Sequence, residues 1–293
     1  MKTVSILGAG RLGGALALAL SDAGCTVDKL IFRTKLHDEL LGWERLETAT
    51  LKLEEVESIG SEILIVCTAD PEIESATRSV ASLLAPGTVV LHTSGSLSSE
   101  VLSPASENGN PTGSLHPLVS VSSPRAGAAS FKGAYFCIEG SADAASAAEE
   151  IAGSLGGRSF SIATSLKPLY HASAVLASGH LVALFQTALE ALSACGLDRQ
   201  TATDALLPLV ESSVKNLSFQ PPSAALTGPF ARTDLEAIER HLAAFEKADL
   251  GGVARVYLEL GTIALELAES NNAPPAAVEK IRERIKLAQA LSK

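Results

Sequence analysis

Short β-branched runs alternate with longer Ala- and Leu-rich amphipathic runs through the first half of the chain. That rhythm predicts strands joined by crossover helices in a mostly parallel, doubly wound sheet. Strands are expected at Val4 to Leu7, Val27 to Phe32, Ile63 to Cys67, Val89 to His92, Ser114 to His116 and Ala134 to Ile138, with one more around Leu51. Helices are expected over Leu12 to Ala23, Ile73 to Leu84 and Ala142 to Leu155, the last capped by Ser141 and ended by Gly156-Gly157. Past Ala163 the β-branched runs stop, and helical patterns fill Pro168 to Cys195, Arg199 to Leu217, Asp234 to Ala248, Val253 to Ser270 and Ala276 to Leu291. The pattern predicts an α/β Rossmann domain over residues 1–163 and an all-α domain over 164–293.

Length and composition agree with two cores: 293 residues, 46% of them apolar, exceed what one core usually serves. The formal charge of -10 and the lack of a basic cluster argue against nucleic acid as a partner. Cys25, Cys67, Cys137 and Cys195 are widely separated and form no zinc-type spacing, so free thiols and no metal are expected. No G-x-S-x-G elbow or H-E-x-x-H pair supports hydrolase or metal chemistry. The N-terminus runs straight into a glycine motif, which predicts no export signal and a cytoplasmic location. The most apolar later stretch, Ala172 to Leu184, is interrupted by Gly179-His180 and falls short of the roughly 20 residues that cross a bilayer, so no membrane span is expected.

Gly8-Ala9-Gly10-Arg11-Leu12-Gly13 fits G-x-G-x-x-G and lies between a predicted strand and a predicted helix, the context that gives the motif meaning. Gly8 would make the tight turn, Gly10 admit a pyrophosphate, and Gly13 allow close helix-to-strand packing, with Arg11 and Leu12 at the positive helix start. An NAD site usually carries a carboxylate about 20 residues on. Here Arg33-Thr34-Lys35 ends the second strand, with Arg33 suited to a 2′-phosphate and Thr34 as a second donor, so NADP(H) is the expected cofactor. Thr68 and Ala69, after the next sheet strand, are expected to contact the nicotinamide side. Ser94, in His92-Thr93-Ser94-Gly95-Ser96, is either a substrate or cofactor contact or a helix cap.

Lys167 and His171 are four residues apart at the start of a helix and share a face, with Ser178 farther along it. Either is a candidate for proton transfer; the plainer alternative is a solvated lysine and a packing histidine. His116, before Pro117 at a strand end, either reaches the crevice or is structural. Thr227 and Arg232 lie in a polar island between two helices, where Arg232 would hold a substrate carboxylate or pair with Asp234.

These motifs together, Gly8 to Gly13, His92-Thr93-Ser94-Gly95, Leu115-His116-Pro117-Leu118, Lys167-Pro168-Leu169-Tyr170-His171 and Thr227-Gly228-Pro229 followed by Arg232, Asp234 and His241, resemble Rossmann-like oxidoreductases whose C-terminal half is domain of unknown function 2520. The resemblance covers nearly the whole chain. Its architecture is similar to pyrroline-5-carboxylate reductases, ketopantoate reductases and β-hydroxyacid dehydrogenases. It implies a homodimer, a cleft completed by the helical half, and a lysine matching Lys167 that assists proton transfer. The expected function is NADP(H)-dependent reduction of a small oxo or imino acid. A nucleotide-binding sensor or partner-binding protein without turnover is the alternative.

Overall fold

The computed structural model describes residues 2–40 and 48–291. It divides into two compact units, Met1–Ser178 and Gly179–Lys293.

The first unit is built on an eight-stranded sheet. Its strands are β1 (Thr3–Leu7), β2 (Thr26–Phe32), β3 (Ala49–Lys52), β4 (Ile63–Val66), β5 (Val89–His92), β6 (Thr112–Pro117), β7 (Tyr135–Gly140) and β8 (Arg158–Phe160). The spatial order is β3-β2-β1-β4-β5-β6-β7-β8, parallel throughout except for the antiparallel β6–β7 pair. Its helices are α1 (Arg11–Asp22), α2 (Ile73–Val80), α3 (Ser103–Ser106), α4 (Pro124–Ala128), α5 (Ala142–Ser154) and α6 (Lys167–Ala177). The order reverses between β1 and β4, and the carboxyl ends flanking such a switch form the ligand crevice of open α/β sheets.

Alternation along the strands explains why both faces are covered. In β4, Ile63 and Ile65 join the α1 and α5 side of the core, while Leu64 and Val66 join Ile73, Val80 and Leu102 on the other. All four side chains are inaccessible to solvent, as a strand buried on both faces requires. Alanines at 15, 17 and 19 in α1 let that helix approach the sheet closely.

The second unit is helical: α7 (Gly179–Ala194), α8 (Arg199–Leu217), α9 (Pro222–Ala225), α10 (Leu235–Lys247), α11 (Gly251–Ser270) and α12 (Pro275–Leu291). Its core joins Phe230, Ile238, Leu242, Leu258, Leu265, Val278 and Ile281. Asp198 and Asp234 cap α8 and α10 through backbone N–H groups at 3.0–3.1 Å.

Two features differ from the sequence reading. The pattern expected as one helix from Pro168 to Cys195 is interrupted at Ser178, whose φ of -122° and ψ of -75° leave the helical region. The Ser178 hydroxyl donates back to the Ala174 carbonyl at 2.7 Å. The length argument against a membrane span is also corrected. Thr164–Ala194 is a 31-residue stretch that is, by length and composition, long and apolar enough to cross a membrane, and it is mostly exposed.

Candidate active site

The glycine turn is shaped by contacts that only glycine permits. Gly8 adopts φ +112° and donates its N–H to the Ile31 carbonyl at 2.8 Å. A β-carbon on Gly13 would stand 1.9 Å from the Gly8 carbonyl oxygen, so that position seals the helix against the turn. A β-carbon on Gly10 would meet nothing within 4 Å. Gly10 therefore faces open space, and α1 begins there without a side-chain cap. Beside the turn, a β-carbon on Gly8 would touch the Thr68 backbone nitrogen at 3.0 Å, and the buried Thr68 hydroxyl has no hydrogen-bond partner. An uncapped helix start, an open glycine and an orphaned hydroxyl suit a dinucleotide.

At the adenosine end, β2 finishes at Phe32, so Asp28 lies within the strand, paired with Lys29 at 2.7 Å, and Arg33 follows the strand tip. Arg33 is exposed and pairs with Glu72, while Lys35 pairs with Asp38 at 2.9 Å and Thr34 is exposed. Exposed ion pairs are weak, so the Arg33 guanidinium can exchange Glu72 for a phosphate at little cost. Ala69 is exposed and begins the short turn Asp70–Glu72.

The loop after β5 uses its own hydroxyls. Ser94 Oγ donates to Asp70 Oδ2 at 2.9 Å and accepts from the Ser96 and Leu97 N–H groups at 3.2 and 3.1 Å, which occupies its proton and both lone pairs. Ser94 caps no helix, since the next helical turn begins at Ser99 behind Ser98; its hydroxyl ties down its own loop instead, and a substrate contact would have to break that. Ser96 Oγ also donates to Asp70, at 2.8 Å. His92 is wholly buried; its Nδ1 accepts from the Ser94 N–H at 3.1 Å, and its Nε2 has no partner.

The helix α6 brings two candidates, Lys167 and His171, and with them Tyr170, to the sheet residues of β6 and β7. Lys167 has no solvent exposure. Its ammonium donates to Ser114 Oγ at 2.5 Å and lies 3.5 Å from Glu139 Oε1, whose carboxylate also accepts from the Ser99 N–H and hydroxyl at 2.8 and 2.9 Å. Burial holds the lysine pKa below its ordinary value, opposed by Glu139. Its neighbours Tyr170 and His171 face outward from this ion pair toward His116. The phenol lies 2.6 Å from His116 Nδ1, and the His116 and His171 rings meet edge to face at 5.8 Å. A cavity of about 380 Å³ opens beside them, lined by His116, His171, Ser178 and the aliphatic groups of Leu118, Val119 and Val175. Lys167 is not among its lining residues.

Burial is also the main reason the His92 pKa falls to about 3 and that of His116 to about 4, with Lys167 and His171 adding repulsion. Both folded values lie below the ordinary 6.5, so the unfolded chain binds protons first. Stability present above about pH 6.5 is therefore expected to fall as pH drops toward 4. Urea unfolding at pH 7 and pH 5 should differ by roughly 2–4 kcal/mol. His92→Leu should flatten that dependence, and an equally steep profile in the variant would contradict it.

The remaining candidates belong to the helical unit. Thr227 and Arg232 are exposed, and the Arg232 guanidinium has no side-chain partner among the described residues. Asp234 caps α10 instead of pairing with it. Thr233 holds φ +51°, unusual for a β-branched residue, and His241 Nδ1 lies 2.9 Å from the Tyr257 hydroxyl.

Sequence reasoning missed Glu139, Ser114, Asp70 and Glu72. Glu139 had a legible signal, a carboxylate between the apolar run Phe136–Ile138 and Gly140. The others become partners only through strand order.

No curated protein matches the chain by sequence. Among solved structures, a Bacteroides fragilis protein named as an NADP oxidoreductase is 25% identical with a TM-score of 0.75, covering 90% of this chain and 98% of that one. A Plasmodium falciparum pyrroline carboxylate reductase with NADP bound shares the fold at 14% identity and TM-score 0.61, covering 100% of this chain and 98% of that one. An Aspergillus terreus reductive aminase in complex with NADPH and ethyl levulinate shares it at 18% identity and TM-score 0.59, covering 97% and 99%. The Rossmann-like domain family matches residues 1–117, which hold the glycine turn and His116. The domain of unknown function DUF2520 matches residues 134–263, which hold Glu139, Lys167, Tyr170 and His171. The chain thus carries a Rossmann-like domain followed by a DUF2520 domain, and its histidine cavity draws residues from both matched regions.

Proposed function

We propose that the chain is an NADP(H)-dependent oxidoreductase that reduces a small oxo or imino acid. The observation that carries this reading is the glycine turn, where Gly10 opens onto the uncapped start of α1 beside the orphaned Thr68 hydroxyl. Binding of NADP or NADPH by structural relatives supports the cofactor class. Gly8, Gly10, Arg11, Leu12 and Gly13 would hold the pyrophosphate, Arg33 and Thr34 the 2′-phosphate, and Thr68 and Ala69 the nicotinamide side. When bound, the nicotinamide supplies the hydride.

The protein's own contribution is a proton and an oriented pocket. His171 lines the cavity and is the proton donor in this reading, with His116 holding the substrate's carbonyl oxygen or imine nitrogen. Lys167, buried behind them on Ser114 and Glu139, fixes the start of α6 and thereby where His171 projects. The exposed Val182 of α7, Leu209 of α8 and Phe219 just past its end are the apolar groups through which two copies would pair.

A panel of small oxo and imino acids, followed by NADPH consumption, tests the reading. The expected result is turnover that falls about 10²–10⁴-fold in kcat on His171→Gln, with NADPH affinity retained. Full kcat in that variant would remove His171 from the chemistry.

A further inference from the structure

We propose that Tyr170 is a positioning residue whose phenol donates to Nδ1 of His116 and locks that imidazole as its Nε2–H tautomer, presenting one fixed donor where His171 and Gly95 converge. The proposal rests on the oxidoreductase reading for its purpose, but its geometry stands by itself.

The contact is short and directed. Tyr170 Oη and His116 Nδ1 are 2.6 Å apart, within the range of a strong hydrogen bond, and the two rings stand at 89°. One proton must lie between these atoms, and the surroundings decide whose it is. The Tyr170 ring is flanked by the apolar Phe160 ring and by Cys137, whose sulfur is a poor acceptor. If Nδ1 carried the hydrogen, the phenol would accept it and its own O–H would be left facing that weak partner. A phenol donating to Nδ1 satisfies both groups. Burial favours this arrangement further, keeping the phenol protonated and the imidazole neutral. The titratable groups acting on His116 from other elements, His171, Lys167 and Asp70, do not compete for Nδ1, which Tyr170 already occupies.

The opposite edge of the ring lies against Gly95, beside the cavity that His116 lines. A β-carbon at Gly95 would stand 2.8 Å from both Nε2 and Cε1 of His116 and 2.6 Å from Cδ2 of His171. Only a glycine lets both rings pack this close to the backbone at position 95, and both histidines line the adjoining cavity. A neutral imidazole with its hydrogen on Nε2 offers a donor to a carbonyl oxygen or imine nitrogen; the other tautomer offers a lone pair and would repel it. Tyr170 touches no substrate in this scheme. It sets which nitrogen of His116 is protonated and which way the ring faces.

Nitrogen-15 histidine NMR of the full chain tests this without any substrate, with His116→Gln identifying the resonances. In the wild type, His116 should show a protonated Nε2 and an unprotonated, hydrogen-bonded Nδ1. In Tyr170→Phe, the Nδ1–H tautomer should appear. A wild-type spectrum with the proton on Nδ1, or the same tautomer in wild type and variant, would overturn the proposal. The wild-type spectrum decides even if the variant does not fold. Once a substrate is found, Tyr170→Phe should lower kcat roughly tenfold, the loss of about one hydrogen bond, with little change in KM. Absence of turnover in every form would count against the oxidoreductase reading and leave the tautomer result standing.

Discussion

Lys167→Ala is expected to lower the unfolding free energy by about 3–5 kcal/mol, because it leaves a buried carboxylate without its counter-charge. Lys167 has no solvent exposure and the Glu139 side chain is only 8% exposed, so water cannot replace the lost partner. Glu139→Gln should cost less, since the Ser99 N–H can still donate to the amide oxygen while the Ser99 hydroxyl accepts from the amide nitrogen. The double variant Lys167→Met with Glu139→Gln should recover much of the loss, as isosteric replacement of a buried pair often does. A coupling free energy of roughly 0.5–3 kcal/mol between the two positions is expected from urea unfolding curves. Single substitutions that each cost under about 1 kcal/mol would show that the pair is solvated in solution. They would also return Lys167 to the list of groups able to exchange protons with a substrate.

Gly10→Ala and Gly13→Ala should separate cofactor binding from folding. A β-carbon on Gly10 meets nothing, and its φ of -82° suits alanine, so stability should stay within about 0.5 kcal/mol of wild type. The same methyl would stand in the space a pyrophosphate needs, and NADPH affinity should fall at least about tenfold, or 1.4 kcal/mol. Gly13→Ala should lose both properties. Its methyl would overlap the Gly8 carbonyl oxygen, and relieving that contact means moving α1 away from β1, which overpacking data put at roughly 1–3 kcal/mol. NADPH binding by Gly10→Ala as tight as wild type would mean that the open face of the turn is not where the cofactor sits.

The strands and helices were largely legible because their patterns report burial directly. Val4 to Leu7 and Ile63 to Cys67 read as strands of a mostly parallel sheet, and β1 and β4 lie there side by side, β4 buried on both faces. Even the weak suggestion around Leu51 corresponds to β3, an edge strand whose exposed residues Ala49, Thr50 and Lys52 carry little apolar signal. What periodicity could not report was the break at Ser178. A helical pattern tolerates a single serine and glycine, and only the backbone angles reveal that the chain turns there.

The site was legible unevenly for a related reason. The glycine turn is a local motif, so spacing alone located it. The Lys167 and His171 pairing was visible as a four-residue interval, yet their different fates depend on residues far away in sequence. Ser114 and Glu139 sit on an antiparallel strand pair, in register with each other, and draw the lysine inward. His116 comes from the same pair and meets Tyr170 and His171 from a segment more than 50 residues later. No interval along the chain encodes those encounters.

Calorimetric titration of the purified protein with NADPH and with NADH, repeated with Arg33→Ala, tests the central claim most directly. The account predicts tight binding of NADPH over NADH, and a selective loss of NADPH affinity in the variant as the 2′-phosphate loses its guanidinium. Binding of neither nucleotide would contradict it, and would reduce Gly8 to Gly13 to a strand-to-helix turn.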